Sequence, residues 1–231
     1  MASGEAVSAV SRRLHVARST LLAWRRDPTS RAEDDGCPRC TGCHVDSSAY
    51  AALLGFYLGD GCLSQAPGYF SFRVSCDASY PRIIEDVTRL MARVRPGARI
   101  FHVQAPGTVV VQSNWKHWPC LFPQHGPGRK HERRIALVPW QQEIVNAHPD
   151  QLVRGLIHSD GSRHINRIKH PKRTYEYVRY ALSNRSDDIK RIFCEACDAL
   201  GVQWRVMSRD SISVARRASV ARLDEFIGPK R

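Results

Sequence analysis

Two aspartates are the first candidates for chemistry in this sequence, because each ends an apolar segment of the same pattern. The segments Leu53–Gly61 and Val153–Gly161 both end in Asp-Gly, and their aspartates, Asp60 and Asp160, lie one hundred residues apart. If the two segments pack side by side, the carboxylates converge and repel each other. A bound divalent cation reverses that penalty, and carboxylates with water are ligands that suit Mg²⁺. The pair therefore indicates a metal site and not a core.

Small residues in the same segments predict a pair of closely packed helices. They recur four positions apart, at Gly55 and Gly59 and again at Gly155 and Ser159. Positions four apart share one face of a helix, so these stripes let two helix backbones approach closely. The glycine after each aspartate is expected in the left-handed conformation that ends a helix. Each carboxylate then lies at the negative end of a helix dipole, a penalty that a cation also compensates.

The two segments resemble the motif of the LAGLIDADG homing endonuclease family in its single-chain form, which carries two motif copies. The resemblance implies an α+β fold of two pseudosymmetric αββαββα halves, with the motif helices at their interface. It also implies that Asp60 and Asp160 bind the catalytic metal, Mg²⁺, and that the backbone carbonyls of Gly59 and Ser159 complete its coordination. Two copies at domain-scale spacing argue against the alternative, which is two unrelated buried helices.

The sequence departs from the family motif at three positions. Leu58 and His158 stand where the motif has an earlier acid, and Arg154 occupies a position that is usually small. The metal-binding acids remain in place.

The charge balance indicates a polyanionic partner. The 231 residues include 35 Lys and Arg against 22 Asp and Glu, which gives a net charge of +13 and a pI near 9.8. This excess favours double-stranded DNA over the alternative of a generally basic soluble protein. The N-terminus has no apolar leader, and no segment reaches the length of a membrane span. Eight cysteines without a secretory signal are typical of reduced thiols or metal ligands in a cytosol. We therefore expect a cytoplasmic protein, nucleoid-associated if bacterial, and the family resemblance implies a monomer with internal pseudo-twofold symmetry.

Residues 1–28 predict a helix-turn-helix DNA-binding module. Apolar positions follow helical spacing on both sides of a short turn at 15–17, and the string resembles the helix-turn-helix of many bacterial DNA-binding proteins. In this interpretation the second helix contacts base edges through its first residues and phosphates through its last residues. The alternative is a helical hairpin that serves only packing. Candidate base contacts are Arg18, Ser19 and Thr20, and candidate phosphate contacts are Arg25 and Arg26.

Residues 29–46 predict a polar linker that contains a pair of cysteines. Cys37 and Cys40 have the spacing that forms half of a structural zinc site, to which Cys43 or His44 would add a ligand. Four ligands within eight consecutive residues crowd a tetrahedral ion. Free thiols are therefore the favoured interpretation, and structural Zn²⁺ is the alternative.

Residues 47–231 predict the two-motif domain, with halves at about 47–137 and 138–231. In each half a motif helix, a hairpin, a second helix and a second hairpin follow in the same order, which is an internal repeat. An offset of 106 residues matches Arg73 with Arg179. Both arginines lie on the polar face of a strand, and we expect these faces in the major groove of DNA.

The segment Ser113–Ile135 is rich in basic and aromatic residues and predicts a loop at the DNA. Such side chains suit phosphate contacts and base stacking, and a solvated charged loop is the alternative. The family resemblance implies that a basic residue from this part of each half assists near the scissile phosphate, with Lys130 and Arg217 as candidates. Further candidate DNA contacts in the segment are Lys116, Arg129 and Arg133.

The acids and the resemblance predict a sequence-specific, metal-dependent endonuclease of the homing type that cuts both DNA strands. The alternative is a DNA-binding transcriptional regulator that keeps the fold without cutting, and the helix-turn-helix favours it somewhat. The paired acids favour the endonuclease, because a protein that only binds DNA gains nothing from two carboxylates near phosphates.

Overall fold

A computed structural model of the chain describes residues 6–14, 16–26, 36–171 and 173–230. The chain divides into two compact units, Met1–Cys43 and His44–Arg231. Within the described ranges, each helix is too short or too polar to cross a bilayer.

The first unit contains two helices and a single helical turn among its described residues. These are α1 (Val7–Leu14), α2 (Arg18–Arg26) and the turn α3 (Pro38–Thr41). α3 starts at a proline, whose missing N–H costs nothing in the first turn, and is followed by Gly42 with a left-handed φ of 73°. The two helices predicted for residues 1–28 are present, whereas residues 1–5, 15 and 27–35 of the predicted module and linker lie outside the described residues.

The second unit has the predicted order of elements in both halves. The first half consists of α4 (Ser47–Leu58), β1 (Gly61–Ala66), β2 (Tyr69–Asp77), α5 (Pro81–Val94), β3 (Ile100–Ala105) and β4 (Thr108–Trp115). It continues through α6 (Trp118–Leu121), a 3-10 turn at Lys130–Glu132 and α7 (Pro139–Ala147). The second half consists of α8 (Pro149–Asp160), β5 (Gly161–His170), β6 (Arg173–Ser183), α9 (Asp187–Ala199), β7 (Arg205–Ser208), β8 (Ser211–Val214) and α10 (Arg217–Asp224). The predicted α+β fold of two αββαββα halves is confirmed.

Each half forms a four-stranded antiparallel sheet of the same topology. The strand orders are β1-β2-β4-β3 and β5-β6-β8-β7. The first ladders also start alike, because Gly61 pairs with Val74 and Gly161 pairs with Leu182. Leu182 is therefore the counterpart of Val74 in the second half.

This register corrects the predicted match between the strands of the two halves by two residues. The ladders match Arg179 with Ser71 and not with Arg73. A shift of two residues keeps a side chain on the same face of a strand, so the predicted faces are unchanged. In the helices that follow, the predicted offset holds, since Met91 on α5 and its match Cys197 on α9 are both fully buried.

The motif helices α4 and α8 pack along their small-residue faces, as predicted. A Cβ added to Gly55 would lie 2.5 Å from the carbonyl oxygen of Leu152, and one added to Gly155 would collide with the carbonyl oxygen of Ala52. A residue with a side chain has no room at either position. Every residue of α4 from Ala49 to its end is buried, as expected of a helix that is apolar on all sides.

The glycines that follow the two aspartates are not left-handed, which corrects the predicted helix ends. Gly161 is extended, with φ −105°, and Gly61 begins β1. A Cβ on Gly61 would lie 2.5 Å from Cα of Tyr57, and one on Gly161 would lie 2.6 Å from Cα of Ile157. These glycines are required by the close passage of each strand past the last turn of its helix.

Part of the predicted loop at Ser113–Ile135 belongs to the core. Trp118 is fully buried in α6, and its indole nitrogen donates a hydrogen bond to the carbonyl oxygen of Ser113 at 2.9 Å. Its ring centroid lies 5.0 Å from that of Phe72 and 6.0 Å from that of Phe122. The tryptophan therefore stabilises the first sheet through aromatic packing, and the predicted base stacking is wrong for this residue.

Candidate active site

Asp60 and Asp160 lie together because the close packing of α4 and α8 brings the ends of these helices side by side. A Cβ on Gly59 would lie 3.3 Å from the carboxyl carbon of Asp160. The Asp60 side chain reaches solvent, yet the surrounding walls remove much of its hydration and raise its pKa to about 6, and the charge of Asp160 adds to the rise. Burial also raises the pKa of Asp160, and a hydrogen bond from Asn184 opposes that shift.

The side chain of Lys130 lies at the end of α4 and contacts the backbone carbonyl groups there. Its Nζ lies within hydrogen-bond distance of the carbonyl oxygens of Tyr57 at 2.6 Å, Leu58 at 2.9 Å, Gly61 at 2.9 Å and also Gly59, which share its three N–H groups. An ammonium group here compensates the negative end of the helix dipole. Burial lowers the pKa of Lys130 to about 8, while the charges of both aspartates oppose this shift.

Lys230 is the counterpart of Lys130 at the end of α8. Its Nζ donates to the carbonyl oxygens of Ser159 at 3.3 Å and Gly161 at 3.0 Å, which precede it by 71 and 69 residues. Lys130 follows its own two carbonyl partners, Gly59 and Gly61, by the same 71 and 69 residues. Burial lowers the pKa of Lys230 as well, and the nearby aspartates again oppose the shift.

The sequence analysis proposed Arg217 as the basic residue of the second half that lies near the acids. In the structure, Lys230 lies there. Arg217 begins α10, is exposed, and is not among the described residues that line the cavities beside the two acids. The signal that identifies Lys230 is its separation from Asp160, which equals the separation of Lys130 from Asp60. Arg217 was a candidate because it is basic and follows β8. Its separation from Asp160 does not repeat the separation of Lys130 from Asp60.

The acids and lysines are paired crosswise in two cavities. A cavity of about 480 Å³ is lined by Asp160 together with Lys130 from the first half. A second cavity of about 310 Å³ is lined by Asp60 together with Lys230 from the second half. Each acid therefore faces a lysine that binds the end of the other motif helix.

Asn184 is a site residue that the sequence reasoning missed. It follows β6 and donates a hydrogen bond from Nδ2 to Oδ2 of Asp160 at 2.5 Å. An amide donor stabilises an ionised carboxylate and fixes its orientation. The signal in the sequence was weak, because a lone polar residue after a strand is common in turns.

His158, which replaces an acid of the motif, connects α8 with the C-terminal segment. Its Nε2 lies 2.7 Å from the carbonyl oxygen of Ile227, and burial lowers the pKa of the imidazole. A neutral ring with its proton on Nε2 donates this hydrogen bond. Ile227 precedes Lys230 by three residues, so the contact holds the chain from which the lysine reaches the site.

The other two departures from the motif have structural roles. Leu58 is fully buried in the core. Arg154 donates from Nη2 to Oδ2 of Asp86 at 2.5 Å, which joins α8 of the second half to α5 of the first.

The predicted DNA contacts differ in how accessible their side chains are. Lys116 and Arg129 are exposed. Arg133 is half-buried and donates to the carbonyl oxygen of Gly128 at 2.6 Å, so it holds the loop in shape. The Nε atoms of Arg73 and Arg179 are buried and have no hydrogen-bond partner among the residues that the structure describes. In α2, Arg18, Ser19, Arg25 and Arg26 are exposed and Thr20 is half-buried.

The cysteine pair proposed for zinc lies at α3 in the first unit. Cys37 immediately precedes the turn and Cys40 lies within it. Burial raises the pKa of Cys37, and its hydrogen bond with Cys40 raises this pKa further. In the second unit, His117 and Cys120 repeat the same spacing, with Nδ1 and Sγ 3.6 Å apart. The zinc content of the purified chain can be measured and compared with that of the Cys40→Ser variant and of the Cys120→Ser variant. Each comparison tests one of the two pairs as a source of zinc ligands.

Comparison with known proteins supports the fold. No family model and no curated protein sequence matches the chain. The chain is similar to the solved structure of I-DmoI in complex with DNA and Ca, with 15% identity over 79% of this chain and 91% of that chain and a TM-score of 0.50. I-DmoI in complex with DNA and Mn matches with 13% identity over 79% and 98% and a TM-score of 0.51. Mesophilic variants of the homing endonuclease I-DmoI match with 13% identity over 79% and 97% and a TM-score of 0.51. At these identities the similarity confirms the resemblance to single-chain LAGLIDADG homing endonucleases at the level of the fold.

Proposed function

We propose that this chain is a divalent-metal-dependent endonuclease that cuts double-stranded DNA at a specific sequence. The observation that carries the proposal is the crossed arrangement of Asp160 with Lys130 and of Asp60 with Lys230. Two carboxylates held together at helix ends cost free energy, because each lies near another negative charge. Such an arrangement is retained where a cation and a phosphate occupy the space between the charges.

The donor set fits a hard divalent cation. Two carboxylates are available, and the carbonyl oxygen of Gly59 already accepts a hydrogen bond from an ammonium group, so this helix end presents oxygen to a positive charge. Asp60, Asp160 and the carbonyls of Gly59 and Ser159 would hold the ion, with water as the remaining ligands, a set that suits Mg²⁺. When bound, the ion supplies Lewis acidity, which makes a water more acidic and stabilises a leaving oxygen.

The lysines supply positive charge where negative charge develops. Hydrolysis of a phosphodiester adds a water oxygen to phosphorus and breaks the bond to the 3′ oxygen. The water loses a proton to solvent and the 3′ oxygen gains one, which leaves a 3′-hydroxyl and a 5′-phosphate. Lys130 and Lys230 are partly buried beside the acids, and a fixed ammonium in such a site stabilises the charged transition state without reorganisation.

Exposed strands supply the surface for binding along the duplex. The hairpin β5–β6 pairs ten residues of each strand, whereas β6 pairs with β8 over only four. The outer part of this hairpin therefore projects beyond its sheet, and it carries Arg167, whose side chain is 66% exposed. A two-stranded ribbon of this kind fits the major groove, and its cations contribute a salt-dependent affinity.

The direct experiment selects bound duplexes from a random library and incubates the winners with Mg²⁺. We expect a specific sequence in which both strands are cut, with no cutting in EDTA. Asp60→Asn and Asp160→Asn proteins are the matched controls, because they keep the side-chain shape and should bind the same duplexes. Specific binding without cutting by the unmodified chain would contradict the endonuclease.

That contradicting outcome is the alternative function, a DNA-binding regulator. The exposed Arg18 and Ser19 at the start of α2 are the observation that favours it. Replacing both by alanine should then remove sequence preference. In the endonuclease, the same change should leave the cut positions unchanged and weaken binding.

A further inference from the structure

The outer part of the β5–β6 hairpin exposes apolar side chains to solvent. Ile168 is 51% exposed and Tyr177 is 48% exposed. Ile168 pairs with Tyr175 across the ladder, and Asn166 pairs with Tyr177, so these four side chains lie on one face of the hairpin. The rings of Tyr175 and Tyr177 stack, with centroids 6.2 Å and planes 10° apart. We call this patch of four residues the tyrosine face.

The tyrosine face continues the surface at which the candidate active site opens. Residues two apart on a strand share a face, so Tyr177 lies on the same face of β6 as Ser183, which lines the 480 Å³ cavity together with Asp160. The alternate residues Tyr180 and Leu182 lie on the other face and are buried in the core. Six residues separate Ser183 from Tyr177, which is about 20 Å along a strand. A duplex bound over the acids would therefore meet the tyrosine face roughly six base pairs further out, at about 3.4 Å per base pair.

The chemistry of the tyrosine face fits the major groove of DNA. Cations flank it, since the guanidinium carbon of Arg173 lies 4.3 Å from the centroid of the Tyr175 ring and Lys169 is exposed. In a chain with a net charge of +13, such a patch is repelled by a second copy and attracted by phosphates. Ile168 can neither donate nor accept a hydrogen bond. The apolar group that base edges present in the major groove is the C5-methyl group of thymine.

We propose that the tyrosine face recognises the C5-methyl groups of thymines at the outer end of the DNA site bound by the second half. The inference rests on the DNA binding of the proposed function and is independent of cleavage. Ile168 and the ring of Tyr177 would cover a methyl group, while the Asn166 amide offers a donor and an acceptor to the polar edge of an adjacent base. Removing one methyl group from water changes an affinity by about fourfold.

The test measures DNA binding in EDTA, so that no metal-dependent cutting takes place. Duplexes selected by the chain from a random library are compared with copies in which one outer thymine is replaced by deoxyuridine. This replacement keeps the base pair and its hydrogen-bonding groups and removes only the methyl group. We expect Kd to rise by about fourfold at one or two positions roughly six base pairs from the centre of the site.

Ile168→Ala and Ile165→Ala form a matched pair of variants. Both isoleucines lie on β5 and are exposed to nearly the same extent, 51% and 49%. Ile165 pairs with Val178 and lies on the opposite face of the hairpin, because it is three residues from Ile168. Ile168→Ala should bind the thymine and deoxyuridine duplexes equally, whereas Ile165→Ala should keep the fourfold difference. Because both side chains are exposed, neither change should unfold the protein.

Several results would overturn the inference while leaving the proposed endonuclease intact. They are a selected site without thymine at the outer positions, equal binding of the thymine and deoxyuridine duplexes, and a methyl effect that persists in Ile168→Ala or disappears in Ile165→Ala. Self-association of the unmodified chain that Ile168→Ala removes would show that the tyrosine face binds a second copy instead.

Other results separate this inference from the proposed function. Specific binding with the methyl effect but without cutting in Mg²⁺ would refute the endonuclease and leave the methyl recognition in place. Failure of the chain to select any duplex would refute DNA binding, and the recognition of thymine would fall with it.

Discussion

The two halves of the second unit agree at the site and differ around it. Lys130 and Lys230 follow their helix-end carbonyls by the same numbers of residues. The sheets diverge, since β2 pairs with β4 over eight residues and β6 pairs with β8 over only four. The first hairpins differ too, with six paired residues in β1–β2 and ten in β5–β6.

This difference shows where geometry constrains the chain. At the interface of α4 and α8 the backbones touch, so the spacing of glycine, acid and lysine has little freedom. Away from the interface a strand can lengthen by residue pairs without moving the site, because a shift of two keeps every side chain on its face. In the proposed endonuclease, the halves would then present different surfaces to the two ends of one target, which suits an asymmetric sequence.

The largest effect we expect breaks the symmetry at the acids themselves. Asp60→Asn and Asp160→Asn should each lower double-strand cleavage by at least about a hundredfold, since loss of one charge-stabilising group costs roughly 10²- to 10³-fold. Duplex binding in Ca²⁺ should be retained, because an amide removes repulsion from phosphates. Rates within threefold of the unmodified chain for either variant would contradict the assignment of that acid.

The next effect tests the interface that both halves share. Gly155→Leu should lower the free energy of unfolding by about 3 kcal/mol and abolish cleavage, because overpacking of a tight contact typically costs about 1–3 kcal/mol, sometimes more. Gly126→Ala is the matched control, since the nearest atoms that a Cβ there meets among the described residues belong to the Arg133 side chain, at 3.6 Å. Urea unfolding measures both changes. A Gly155→Leu protein as stable as the control would mean that the helices do not meet along this face.

The sequence predicted the parts of this fold that have local signals. The polar strand face predicted at Arg73 lies in β2, and the glycine stripes identified the contact of α4 with α8. The helix α7 was not predicted, although Pro139 at its first position is a start signal; it follows the segment whose basic residues suggested a loop.

The parts of the site that the sequence did not predict depend on contacts between distant residues. Lys230 reaches Gly161 across 69 residues, and Asn184 reaches Asp160 across 24. Neither contact leaves a periodic pattern in its own neighbourhood. Lys230 could have been predicted from the sequence only because the separation between acid and lysine is the same in both halves. Asn184 could not be predicted in this way, because the first half has no asparagine at the equivalent position.

A smaller effect compares the two acids by their pH dependence without metal. The pKa of Asp60 is raised from 3.8 to about 6, so the folded state binds more protons than the unfolded state between these values. Stability therefore falls as pH rises through this window and is constant above it. Asp60→Asn should remove that fall and raise the free energy of unfolding at pH 7.5 by about 1 kcal/mol, after allowance for solvent screening at this accessible side chain.

Asp160→Asn provides the comparison. The Asn184 hydrogen bond already favours its ionised form, so the gain at pH 7.5 should be smaller than for Asp60→Asn. Urea unfolding in EDTA at several pH values measures both. A larger gain in Asp160→Asn would mean that the amide does not stabilise its carboxylate.

The smallest effect compares an ion pair between the halves with one at the periphery. Arg154 and Asp86 lie 2.5 Å apart with side chains 21% and 13% exposed. Arg167 and Glu176 in the β5–β6 hairpin lie 2.7 Å apart but are 66% and 52% exposed. The distances are nearly equal, so the environment is the main variable. Water screens the outer pair, and exposed pairs typically contribute about 0.2–1 kcal/mol.

Double-mutant cycles with alanine separate the two pairs. We expect a coupling energy of about 1 kcal/mol between Arg154 and Asp86, because contacting residues in a partly buried network couple by roughly 0.5–3 kcal/mol. For Arg167 and Glu176 we expect about 0.3 kcal/mol, and 0.5 M salt should reduce it further. The single change Asp86→Ala should cost more than the coupling energy, since it leaves the Arg154 charge partly buried without its partner. Equal couplings with equal salt dependence would show that Arg154 is solvated in solution, and the two halves would then be joined at the motif helices without help from this pair.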